Sequence, residues 1–163
     1  MAKKKAGKTN AIRLVEQQKI SYIEHTYEWS EDHLDAQNVA EKLDETENRI
    51  FKTLVAVGNK TGPIVAVIPG NRALDLKKIA KVSGNKKVEM LHLRDLEETT
   101  GYIRGGCSPV GMKKLFPTFI DASAKRLDTI IISAGKRGLQ MELDPKDLLR
   151  VIHGKLEDIT TTA

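Results

Sequence analysis

The stretch RIFKTLVAVGNKTGPIVAVIP, Arg49 to Pro69, decides the fold class. Two apolar runs flank GNKTG, a segment rich in turn formers, so the stretch predicts an antiparallel hairpin. In the first run Ile50, Lys52, Leu54 and Ala56 share one side, and Phe51, Val55 and Val57 the other. Both sides are apolar, which marks a central, buried strand. Lys52 is the exception. A lysine in such a strand must snorkel, pair or face a cavity. The competing reading is a lysine that guards a sheet edge against aggregation. The pattern alone leaves both open.

Working outward, DTIIISAG and GLQMELD form a second hairpin around GKRG, Gly135 to Gly138. Helices are expected over NAIRLVEQQK (10–19), LDAQNVAEKLD (34–44), LDLKKIAKVSG (74–84), LRDLEETTG (93–101) and DPKDLLRVIHG (144–154). Asp75 and Asp144 suit N-caps, Pro145 the first helical position, and Gly84 and Gly154 the ends. ISYIEHTYEW (20–29), KVEML (87–91), PTFID (117–121) and KLEDIT (155–160) read as strands. Helices interleave with strands, yet two strand pairs are hairpins, so a wholly parallel doubly wound sheet is disfavoured. The expected class is α/β (α+β): one domain with a mixed, partly barrel-like sheet and flanking helices. Residues 1–9 read as a loose basic tail and 10–163 as the domain.

A chain of 163 residues buries a sizeable core without covalent staples. One cysteine excludes an internal disulfide framework and a Cys-rich zinc site. The four histidines, His25, His33, His92 and His153, lie in separate elements without ligand spacing, so no metal or other cofactor is expected. No apolar run is long enough to span a bilayer and none follows the basic N-terminus. The expectation is a cytoplasmic protein with no membrane partner. The net charge of +5 favours a polyanionic partner, although Lys3, Lys4, Lys5 and Lys8 supply much of it. Aromatic residues make up 4% of the chain, so stacking platforms are few.

Candidate chemistry gathers in TGYIRGGCSPVGMKK, Thr100 to Lys114. Gly105 and Gly106 give the backbone freedom to aim consecutive amides at an oxyanion or a phosphate. Cys107 as a nucleophile would need a base and a depressed pKa, and a lone cysteine is more often a packed residue. In SAGKRG, Ser133 ends a strand, and Lys136 and Arg137 sit at the turn, where they can meet phosphate or simply be solvated.

Four blocks in this order, HTY (25–27), RIFKTLV (49–55), TGYIRGGCSPVGMKK and ISAGKRGLQMEL (132–143), closely resemble the YbaK/EbsC family of free-standing aminoacyl-tRNA deacylases. That family is similar in turn to the editing insertion of bacterial prolyl-tRNA synthetases. LKKIAK and KKVEM fit as well, and the resemblance spans about Asn10 to Ile159. It implies hydrolysis of mischarged Cys-tRNA(Pro), with aminoacyl-tRNA as substrate and prolyl-tRNA synthetase as a partner on the tRNA. It places the essential lysine at Lys52, the pocket tyrosine at Tyr27, the first glycine of the pair at Gly105 and the strand-end serine at Ser133. Thr53 follows as the neighbour of the lysine. Family members carry aliphatic residues at the position of Cys107, so no thiol from the protein is implied; the substrate's own thiol is implied to attack.

On this reading Lys52 holds the terminal adenosine or its phosphate, the Gly105 and Gly106 amides meet the carbonyl oxygen, and Tyr27 and Ser133 hold the amino acid or ribose. Three alternatives stay open. One is a different mischarged substrate such as Ala-tRNA(Pro), because pockets separate residues of similar size poorly. The others are a non-catalytic RNA binder and a Cys107 hydrolase.

Overall fold

The computed structural model describes residues 8–30, 32, 38, 39 and 49–161. Its elements, in order, are α1 (Asn10–Gln17), β1 (Ile23–Thr26), β2 (Phe51–Gly58), β3 (Gly62–Pro69), α2 (Leu76–Ser83), β4 (Val88–Met90), α3 (Leu96–Thr100), β5 (Thr118–Asp121), β6 (Ile130–Lys136), β7 (Leu139–Leu143), α4 (Pro145–Ile152) and β8 (Lys155–Glu157). Short 3-10 turns cover Leu93–Asp95 and Ala122–Arg126. The helix expected over 34–44 lies outside the described residues apart from Asn38 and Val39, which are helical.

The strands form two sheets, ordered β1-β7-β6 and β4-β2-β3-β5-β8. Both predicted hairpins are present: β2 with β3 from Phe51↔Pro69 to Gly58↔Gly62, and β6 with β7 from Ile130↔Leu143 to Lys136↔Leu139. The parallel pairs β3–β5 and β5–β8 complete a mixed sheet. The sheets do not close into a barrel; one parallel bridge, Ile50↔Ile131, joins them.

The alternation read in β2 sorts two core clusters. Phe51 and Val55, with Val65 and Val67 of β3, pack against the three-stranded sheet, α1 and α4. Ala56, Ile64, Ala66 and Ile68 pack against Ile79 and Ala80 of α2. Full burial of an isoleucine contributes about 1.5–3 kcal/mol, and Ile64, Ile68, Ile79, Ile120, Ile130, Ile131 and Ile132 are all fully buried. The β2–β3 turn is held from outside. Asn85 accepts the amides of Lys60 (2.8 Å) and Thr61 (3.1 Å), and it packs against Gly58, where a Cβ would collide with it.

Helix ends follow the sequence with two corrections. Asp75 and Asp144 accept first-turn amides as N-caps, and Gly84 ends α2 in the left-handed region. At α4 the left-handed residue is His153 (φ 51°), not Gly154, whose amide reaches back to Leu149 O at 2.9 Å. Lys8 and Thr9, read from sequence as tail, belong to the fold. Thr9 caps α1 and donates to Ala134 O at 2.5 Å, and Lys8 pairs with Glu16. Among the described residues no helix is long and apolar enough to cross a membrane.

The junction of the sheets is clamped by one carboxylate. Glu142 of β7 meets His25 Nε2 of β1 at 2.7 Å, accepts from Arg49 Nη2 at 2.7 Å, and accepts from Thr129 Oγ1 at 2.5 Å. Burial alone would raise its pKa; the Thr129 hydroxyl, His25 and the Arg49 guanidinium outweigh burial and hold the carboxyl below its ordinary value. A depressed carboxyl stabilises the fold above its unfolded pKa, and that stabilisation is lost as pH falls through the folded value. Glu142→Gln is therefore expected to cost about 2 kcal/mol at neutral pH and to lower Tm by roughly 4–8 °C. Thermal melts followed by circular dichroism will show the gap between variant and parent narrowing below about pH 4.

Candidate active site

The edge of β2 away from β3 is contested. At its start Ile131 N–H donates to Arg49 O (2.9 Å), so β6 holds that end. At its finish β4 pairs with Ala56–Gly58. Between them no strand is in register among the described residues, and the Leu91 amide reaches in at Val55 O (3.0 Å). A cavity of about 370 Å³ occupies this split. Ile50 to Val55 form its floor, Met90, Leu91, Leu93 and Leu96 one wall, and Arg104, Gly105, Cys107, Ser133 and Gln140 the other.

Lys52, Thr53, Gly105 and Ser133, chosen from sequence, thus meet around one hollow. Lys52 is half-buried. Its Nζ donates to Gly70 O at 3.3 Å, and among the described residues no carboxylate pairs with it. Burial pushes its pKa below that of an ordinary lysine, because the ammonium has lost solvent without gaining a counter-charge. At Lys52 the strand is paired with β3 on one side and borders the cavity on the other. Thr53 Oγ1 is buried with no hydrogen-bond partner among the described residues. Ser133 is buried and accepts the Gly135 amide at 3.2 Å.

Gly105 and Gly106 part company. Gly105, at φ 85°, lines the cavity, and its amide makes no backbone hydrogen bond among the described residues. The Gly106 amide donates to Ile103 O at 3.0 Å, so it is not free to meet a carbonyl oxygen as expected. Gly106 serves packing instead: a Cβ there would lie 3.0 Å from Lys136 Cα. Tyr27 stands one layer back, its hydroxyl 3.4 Å from Gln140 Nε2. Lys136 and Arg137 occupy the β6–β7 turn outside the cavity. There Arg137 Nε donates to Arg104 O at 2.8 Å, which ties the turn to the Gly105 loop.

Gln140 is the site residue that sequence reading missed. It is 5% exposed, stands opposite Ser133 in the hairpin register, and its Oε1 is buried without a partner among the described residues. The available signal was alternation in GLQMEL, where Gln140 and Glu142 oppose the apolar Leu139, Met141 and Leu143. Cys107 also lines the cavity, but burial raises its thiol to about 11, with only partial relief from Thr100. At that value the thiol is protonated near neutral pH, which removes the nucleophile.

A concave pocket with a desolvated cation on its lining, and a loop amide that makes no backbone hydrogen bond among the described residues, suits an anionic ligand. The chain belongs to the aminoacyl-tRNA editing domain family, whose profile matches residues 30–151. It is 65% identical over 162 residues, 99% of both chains, to the Enterococcus faecalis protein named "Putative Cys-tRNA(Pro)/Cys-tRNA(Cys) deacylase EbsC". It is 32% identical over 112 residues to YwhH of Bacillus subtilis, covering 69% of this chain and 71% of that one. In fold it superposes with TM-score 0.78 on the structure described as "a putative trans-editing enzyme for prolyl tRNA synthetase". That match has 22% identity and covers 94% of this chain and 99% of the other.

The protonated thiol has a direct consequence. At pH 8 about one Cys107 in a thousand is ionised, so labelling of the native protein by a thiol reagent will be slow and will reach its ordinary rate on unfolding. Mass spectrometry of quenched reactions measures this.

Proposed function

We propose that this protein is a free-standing deacylase that clears mischarged Cys-tRNA(Pro), acting in trans to prolyl-tRNA synthetase. The observation that carries the reading is Lys52: a half-buried ammonium without a carboxylate partner among the described residues, on the floor of a cavity that Gly105 and Ser133 also line. The near-complete identity span with the Enterococcus faecalis protein supports the substrate.

The chemistry asks little of the enzyme. An aminoacyl ester is already activated, so placement and charge stabilisation suffice. Lys52 takes the terminal phosphate or the ribose oxygen at the ester. The Gly105 amide faces the carbonyl oxygen as it becomes an oxyanion. Thr53 and Gln140 line the same cavity and bound the space for the aminoacyl group, their own buried oxygens enclosed and without partners among the described residues. Tyr27 holds Gln140 from behind, and the Ser133 hydroxyl meets the amino acid or ribose. The substrate's sulfur attacks its own carbonyl carbon, the bond from that carbon to the ribose oxygen breaks, and the thiol proton passes to the ribose oxygen. The product is a four-membered thiolactone that water later opens.

Two experiments test the assignment with pure protein and labelled aminoacyl-tRNA. Lys52→Ala lowers kcat/KM by about 100-fold or more while Cys107→Ala stays near the parent; a parental rate in Lys52→Ala overturns the role. Because burial lowers the lysine pKa and the charged form is the working one, the rate also falls on the alkaline side below about pH 10.4. In the second, replacing the esterified cysteine by serine slows release by at least about tenfold, since the hydroxyl is the poorer nucleophile. Equal rates would mean that water attacks instead.

A further inference from the structure

Trp29 is the sole tryptophan of the chain, and it is 45% exposed. It stands at the end of the β6–β7 hairpin whose opposite residues Ser133 and Gln140 line the cavity. Its place is fixed from two sides. The Tyr27 amide donates to Gly138 O at 3.0 Å, which carries the chain past β1 along the hairpin. Gly138, at φ 83°, has no Cβ, and one placed there would lie 2.8 Å from Trp29 Cδ1. The indole therefore rests on the turn backbone itself.

Arg137 lies over this ring, its guanidinium carbon 5.1 Å from the centroid. The same side chain donates through Nε to Arg104 O, and Arg104 lines the cavity. Indole, guanidinium and cavity rim thus form one connected surface. Arg104 and Lys136 add positive charge; Glu28, exposed beside Trp29, is the nearest acid in sequence. From Gln140 back to Gly138 the strand advances about 7 Å, which is the rise of about two stacked nucleotides.

A half-exposed indole with a guanidinium over it suits one class of ligand well. A nucleobase stacks on the guanidinium plane and the uncovered part of the ring while its phosphate meets Arg104 or Lys136. Duplex RNA offers phosphates but no free base face. Resting on the deacylase reading for its location, we infer that Trp29 with Arg137 is a stacking platform for the single-stranded 3′ end of RNA, holding the nucleotides just before the one that enters the cavity. The platform accounts for how a chain with 4% aromatic residues grips an unpaired strand: one indole suffices at the mouth.

The lone tryptophan makes the test direct. Intrinsic fluorescence of the full chain is titrated with a short single-stranded RNA ending in CCA, with blunt duplex RNA of equal length, and with polyglutamate. Saturable quenching by the single strand, weakened several-fold in Arg137→Gln and by added salt, is the expected result. Quenching equal to that by duplex or polyglutamate, or none at RNA concentrations where anisotropy of labelled RNA shows binding, overturns the platform.

The catalytic arm uses Trp29→Ala and Trp29→Phe, with circular dichroism to confirm folding. Trp29→Ala lowers kcat/KM on aminoacyl-tRNA by about 5- to 100-fold more than on the same amino acid esterified to adenosine alone; Trp29→Phe recovers part of the difference. An equal loss on both substrates overturns the platform while leaving the deacylase reading intact. Quenching by single-stranded RNA without hydrolysis of any ester does the reverse.

Discussion

Strand β2 has one edge and two claimants for it. β6 takes the end at Ile50 and β4 takes the end at Ala56, and among the described residues the stretch between is left without a strand in register. A sheet that splits in this way leaves backbone and side chains of its floor without neighbours, and a cavity is the result. The Glu142 clamp on His25, Arg49 and Thr129 secures the β6 end of the split. The antiparallel ladder with β3 secures the other edge along its whole length. The floor is thus rigid although one side of it is open.

That rigidity explains how a lysine persists where apolar residues dominate. Lys52 loses solvent to the strands around it and receives one carbonyl, Gly70 O, in return. An ammonium in such a position is held in a state that a ligand anion improves, which is a sound arrangement for binding and a poor one for stability alone. Thr53 and Gln140 also line the cavity, and each keeps one buried side-chain oxygen without a partner among the described residues, which is rare in folded proteins. The Gly105 loop closes over it, with Gly106 buried to let the loop lie on the Lys136–Arg137 backbone.

Much of this was legible in the chain. Alternation in RIFKTLVAV and PIVAVIP fixes the hairpin, and Lys52 stands out because it breaks an apolar face. Caps at Asp75 and Asp144 are local chemistry and were readable as such. Four sequence blocks also pointed to one family. What failed to read did so for identifiable reasons. The role of Gly106 turned on where its amide points, which depends on the Ile103 carbonyl across a turn. The end of α4 fell on His153, an exposed residue that takes the left-handed conformation one position before the glycine. Gln140 looked like one polar residue among several on a half-buried strand.

The sequence by itself determined the elements, the two hairpins, the inward sides of the strands and the anomaly at Lys52, because periodicity, turn formers and caps act over a few residues. Tertiary structure alone decided that β6 and β4 divide one edge of β2, that Glu142 locks the division, and that Trp29 meets Arg137 at the β6–β7 turn. Most of those facts join residues 80 to 117 positions apart, and only the packing of the whole chain determines which of them touch.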